Sequence, residues 1–269
     1  VNDDPTGGVT ISGTATEDEV LTADTSTLAD EDVLGALSYQ WSRDGSPIDG
    51  ATSSTYTLEQ ADVGAEITVE VSYTDGEGTA ESVTSAATSP VANVNDEPTL
   101  DALSDININE DDPEQTVNLT GITAGDGETQ QLSVTAVSDN TGLIPDPTVT
   151  YSSADSTGTL KFTPVADQFG TATITVTVED GGLDNNLATP GDNGVINRTV
   201  VVNVAPINDE PTLDALSDIN INEDDPEQTV NLTGITANGG EVQQLSVTAV
   251  SDNTGLIPDP TVTYSSADS

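Results

Sequence analysis

Thr173-Ile174-Thr175-Val176-Thr177-Val178 alternates threonine with a β-branched aliphatic residue at every step. Successive side chains of an extended chain point to opposite faces, so this stretch predicts a strand with one apolar and one polar face. Ile67-Thr68-Val69-Glu70-Val71 carries the same alternation. Further short strands are predicted over residues 9–13, 20–23, 37–43, 55–57, 67–73 and 81–91, with turn signals between them, and Asp44-Gly45 is a tight hairpin signal. Short strands at this spacing indicate β-sandwiches, with the single tryptophan, Trp41, as a plug between two sheets. The fold class expected is all-β, an elongated tandem array of sandwich domains.

Residues 95–156, beginning Asn95-Asp96-Glu97-Pro98-Thr99-Leu100, recur at 208–269. The two copies differ only at Gly125/Asn238, Asp126/Gly239 and Thr129/Val242, all in one glycine-rich turn. Near-identity over that length indicates a duplicated array whose copies do the same work. A phrase marks each junction: Val1-Asn2-Asp3-Asp4-Pro5, Val94-Asn95-Asp96-Glu97-Pro98 and Ile207-Asn208-Asp209-Glu210-Pro211. Proline stops strand pairing and stiffens a short linker, which places domains at about 1–94, 95–207 and 208–269. The second copy lacks a counterpart of residues 157–204. Either the chain is a piece of a longer array or a neighbouring chain supplies the missing strands; the first is the expectation.

The 269 residues include 48 acidic and only three basic side chains, Arg43, Lys161 and Arg198, for a formal charge of −45. Such a surface repels nucleic acid and anionic membranes. Cysteine, histidine and methionine are absent, which removes the usual ligands of zinc, copper and haem and any disulfide framework. Oxygen ligands remain in abundance, and these suit calcium. No apolar run approaches the roughly 20 residues of a membrane span and no signal peptide opens the sequence, so a soluble internal piece of something longer is expected. Without histidine and with Lys161 as the one lysine, acyl-transfer constellations cannot be assembled, and paired carboxylates lack the aromatic platforms of glycoside hydrolysis. An enzyme is not expected.

Residues 6–92, through Tyr39-Gln40-Trp41-Ser42-Arg43-Asp44-Gly45, Ala61-Asp62-Val63-Gly64 and Tyr73-Thr74-Asp75-Gly76, resemble the Ig-like repeats of giant bacterial surface adhesins of the RTX-adhesin or biofilm-protein type. Residues 95–207, and 208–269 as far as they run, resemble cadherin-like repeats. The resemblance rests on Asn109-Glu110-Asp111-Asp112, Asp139-Asn140, Glu179-Asp180-Gly181-Gly182 and the Asn-Asp-Glu-Pro linker. It implies calcium held between domains. Carried over, Glu110, Asp111, Asp180, Asn208, Asp209 and Asp252 would share the junction after the second domain. Glu17, Asp18, Asp75, Asn95, Asp96 and Asp139 would share the one before it.

The expected function is therefore that of an extracellular structural extender on a bacterial surface or in its secreted matrix. Its partners would be calcium ions and the neighbouring repeats of its own chain. Two alternatives remain open: a filament subunit completed by strand exchange between like chains, and a polysaccharide-binding module. Aromatic residues make up only 3% of the chain, which favours the extender.

Overall fold

The computed structural model describes residues 2–265 and is all-β apart from one turn of 3-10 helix. The first part contains β1 (Thr10–Ser12), β2 (Val20–Asp24), β3 (Ser38–Arg43), β4 (Ser46–Pro47), β5 (Thr55–Thr57), β6 (Ile67–Thr74) and β7 (Ala80–Thr84). These form a three-stranded sheet in the order β1-β2-β5 and a four-stranded sheet in the order β4-β3-β6-β7. The alternation read at 67–71 extends through β6, which buries Ile67, Val69, Val71 and Tyr73. Trp41 lies in the core at 0% exposure, with its Nε1 donating to the Ser53 carbonyl at 2.9 Å and its ring stacked on Tyr56. The strand predicted over 81–91 ends at Thr84; beyond Pro90, Val91 and Ala92 make only isolated parallel bridges to Val63 and Thr16.

The second part contains β8 (Ile106–Asn109), β9 (Gln115–Thr120), β10 (Leu132–Ser138), β11 (Thr148–Thr150), β12 (Thr157–Phe162), β13 (Gly170–Asp180) and β14 (Val195–Ala205). Sheet orders are β10-β13-β14-β8 and β11-β12-β9. The deciding stretch 173–178 is the middle of β13, whose Ala172, Ile174, Val176 and Val178 face inward beside Val200, Val202 and Val204 of β14. Each isoleucine or valine side chain of this set taken out of water stabilises the sandwich by about 1.5–3 kcal/mol.

Strand β8 pairs in parallel with the last strand, β14, in the register Ile106↔Val202 through Asn109↔Ala205. Residue 110 therefore emerges beside the linker that leaves the sandwich. The first part does the same on a smaller scale through the parallel bridge Thr16↔Ala92, which brings residue 17 beside its own outgoing linker. This pairing builds the site described next.

Residues 208–265 form no strand, and the isolated bridge Thr212↔Thr236 repeats Thr99↔Thr123 of the second part. Their sequence corresponds to β8–β11, while the packing partners in the second part are β12, β13 and β14. Leu143 and Ile144, 3% and 0% exposed, accordingly become Leu256 and Ile257 at 74% and 45%. Val1 of the first linker phrase and residues 266–269 of the second copy lie outside the described residues.

Candidate metal centre

At the first joint the Glu17 amide donates to the Ala92 carbonyl at 2.9 Å, which extends the parallel bridge by one residue. This turns the Glu17 side chain back under the linker, where Oε2 accepts the Val94 amide at 3.1 Å. Glu17 is 2% exposed and its other oxygen, Oε1, is buried with no hydrogen-bond partner. The second joint copies this arrangement. The Glu110 amide donates to Ala205 at 2.9 Å, Glu110 Oε1 accepts the Ile207 amide at 2.8 Å, and Oε2 is buried and unpartnered. The residue that follows the glutamate, Asp18 or Asp111, has φ 64° in both places, a left-handed turn that aspartate tolerates better than most side chains.

Two groups of three carboxylates result, each with ligand oxygens within 4.8 Å of one another: Glu17, Asp96 and Asp126, and Asp111, Asp167 and Asp209. The second group takes Asp111 where the first takes Glu17, and Glu110 is not one of its three members. The linker aspartates are held alike, with the Asp96 amide donating to Glu128 Oε2 at 3.1 Å and the Asp209 amide to Glu241 Oε2 at 3.2 Å. Oδ2 of Asp209 is also buried without a partner.

Charge confirms the crowding. Burial, then the charges of Glu128, Asp18 and Asp126, push the Asp96 carboxyl above the usual aspartate range. Asp209 is pushed up by burial, then by Asp167, Asp111 and Glu241. Glu17 is raised by burial first, against the lowering effect of the Val94 amide, with Asp96, Asp18 and Glu128 adding to the rise. No basic side chain answers these charges. Arg43 pairs with buried Asp62 at 2.7 Å, Lys161 with Glu114 at 2.8 Å, and Arg198 donates to the Leu100 carbonyl at 3.0 Å. An all-oxygen donor set, partly buried and uncompensated by protein cations, fits a hard divalent ion such as calcium.

Four of the sequence-derived positions stand elsewhere. The carry-over grouped Asp180 with the second joint, but β13 runs antiparallel to β14, so its end lies at the pole where the chain enters the sandwich. There Asp180 is fully buried and accepts the amides of Gly182 and Gly194 at 2.9 and 2.8 Å, with Asn95 Nδ2 at 3.3 Å from either oxygen. A Cβ on Gly194 would come within 2.5 Å of Asp180 Oδ2, so only glycine permits that approach. Asp75, at the end of β6, faces the entry pole of the first sandwich for the same reason; its Oδ1 accepts the amides of Glu77 and Thr79.

Asp139 was grouped with the first joint. It follows β10, which is antiparallel to β13, and so lies at the exit pole, exchanging hydrogen bonds with the Thr173 backbone at 2.6 and 3.0 Å. Asp252 is exposed in the third part, outside both groups. Asn208 donates to the Asp209 carbonyl at 2.9 Å, as Asn95 does to Asp96 at 3.3 Å. Asp126 and Asp167, which complete the two groups, escaped the sequence reading, although Asp126 is one of the three positions that differ between the copies.

Residues 95–189 match the family model of the bacterial Ig domain. The match falls on the stretch whose motifs resemble cadherin-like repeats. No curated protein matches the chain. Among solved structures, domains 4 and 5 of the S-layer protein SbsC align at 19% identity and a TM-score of 0.28, over 62% of this chain and 76% of that one. SbsC domains 4–9 align at 16% and 0.31, over 91% and 40%. The protocadherin gammaB7 EC3-6 structure aligns at 18% and 0.36, over 67% and 43%. The chain thus spans less than half the length of the last two structures. Likenesses this loose carry no inference about function.

Proposed function

We propose that this chain is a non-enzymatic spacer segment of an extracellular bacterial surface or matrix protein, divided at about 1–94, 95–207 and 208–269 and stiffened by calcium at its two joints. The observation that carries the reading is Glu17, a buried carboxylate with one free oxygen in a group of three carboxylates. An uncompensated group of this kind is costly unless a cation joins it. Glu17, Asp96 and Asp126 would hold the ion at the first joint. Asp111, Asp167 and Asp209 would hold it at the second. Calcium supplies the charge that lets the sandwich ends approach across a linker of a few residues.

Spacing is favoured over polysaccharide recognition by where the aromatic rings lie. Trp41, Tyr73 and Phe162 are core residues, and Phe169 is the one exposed aromatic among the described residues. Thermal melts in calcium and in chelator at physiological salt test the proposal, since a ligand of the folded state stabilises it by mass action. A higher melting temperature and a longer maximum dimension by small-angle scattering are expected in calcium. Coincident melts and unchanged dimensions would sink the calcium reading.

A further inference from the structure

The differences between the two near-identical copies fall at the joints, and their placement follows a rule. At the first joint the third carboxylate, Asp126, comes from the unit downstream of the linker. At the second joint position 126 is replaced by Gly239, and the third carboxylate, Asp167, comes from the unit upstream. Of the other two members, the linker aspartate, Asp96 or Asp209, is common to both joints, whereas the acid after the early strand shifts by one place, from Glu17 at the first joint to Asp111, the counterpart of Asp18, at the second.

The upstream loops show why the exchange is possible. Gly127 and Gly240 are the same position of the repeat. A Cβ on Gly127 would lie 4.0 Å from Gln60 Cγ, and one on Gly240 would lie 3.8 Å from the Asp167 carbonyl oxygen. The Gln60 side chain and the Asp167 backbone carbonyl, each from the preceding sandwich, thus approach the same position of the turn. Where that residue is the neutral Gln60, the turn reads Gly125-Asp126; where it is Asp167, the turn reads Asn238-Gly239. A Cβ at 239 would lie against the Asp209 carboxylate, which would have to turn away to admit it.

We infer that the turn at 125–129 and 238–242 is matched to the loop of the unit before it, so that each joint presents one divalent-cation site with the same number of carboxylates whichever unit precedes it. The inference rests on the calcium reading above. On this account the turn is an adaptor, and the order of units in the array is written into it.

Calorimetric titration of the full chain with calcium chloride separates the possibilities. Wild type is expected to bind at two joints, with Glu17→Gln identifying the first. Asp126→Asn should weaken the first site alone and Asp167→Asn the second alone, each on the order of tenfold, because affinity follows ligand charge count. Recasting the first turn as the second, by Gly125→Asn with Asp126→Gly, should weaken the first site, and adding Gln60→Asp should restore it. Circular dichroism of each variant checks that strand content is retained. If Glu17→Gln removes a site that Asp126→Asn leaves untouched, matching is wrong while the calcium reading stands. Failure of Gln60→Asp to restore binding likewise overturns the exchange. Absence of any calcium binding by wild type overturns both readings.

Discussion

The Val94 amide donates to Glu17 Oε2 at 3.1 Å across 77 residues of sequence, and Ile207 makes the same bond to Glu110 at 2.8 Å. One carboxylate thus clamps each outgoing linker to the sandwich it leaves, with its second oxygen free. A single side chain serves as both hinge pin and candidate ligand, and its replacement has opposite consequences with and without the ion.

Glu17→Gln keeps the shape and a hydrogen-bond acceptor for the Val94 amide but removes one negative charge. In chelator the variant should melt above wild type by roughly 4 °C, since like charges around Asp96 are relieved. In calcium it should melt below wild type. Calorimetric scans in both conditions check the reversal, and a shift of one sign in both would mean Glu17 only clamps.

Asp180→Ala should behave differently. Its carboxylate receives two backbone amides, from buried Gly182 and partly buried Gly194, so truncation orphans both donors. A loss of about 1–3 kcal/mol is expected for the second sandwich. The loss should be the same in calcium and in chelator, measured by denaturant unfolding. A calcium-dependent loss would return Asp180 to the ligand set.

Trp41→Ala should cost the first sandwich about 3–5 kcal/mol, the usual range for emptying a large buried aromatic site. Its core, which includes Leu21, Leu58 and Val69, is separate from the core around Ile174 and Val200. Unfolding should therefore split into two transitions, the first early and the second unmoved. A single cooperative transition displaced as a whole would mean that the joint couples the sandwiches tightly.

Tyr56 is pushed up to about 12 by burial first and then by the hydrogen bond to Asp62, at 2.8 Å. The unfolded chain releases this proton near pH 10 and the folded chain holds it longer. Stability from this group is thus complete below about pH 10 and is lost as pH rises toward 12. Tyr56→Phe should flatten the alkaline fall of first-sandwich stability in that window. Tyr73, raised by burial and by its bond to Asp30, supplies the slope that remains.

The strands were legible because alternation is local: β6 and β13 bury the residues their patterns indicate. The linker acids were legible because proline and repetition mark them. Which pole each remaining acid occupies was not legible, since alternation reports the face of a strand and says nothing of its direction in the sheet. Asp75, Asp139 and Asp180 each end a strand, and reversing a strand's direction moves its end to the opposite pole. Asp126 and Asp167 lie in turns, and their meeting with Glu17 and Asp209 respectively depends on contacts across a joint. The disagreement between the copies at 126 and 239 was the one visible trace of it.

The parallel pairing of β8 with β14 has a mechanical consequence. The chain enters the second sandwich ahead of Ile106 and leaves it after Ala205, and the pairs Ile106↔Val202, Asn107↔Asn203, Ile108↔Val204 and Asn109↔Ala205 lie side by side in the same direction. Tension between the two ends drags these strands past one another along their length. The ladder is loaded in shear, and its bonds must yield together, whereas an antiparallel hairpin pulled from its open end unzips one rung at a time.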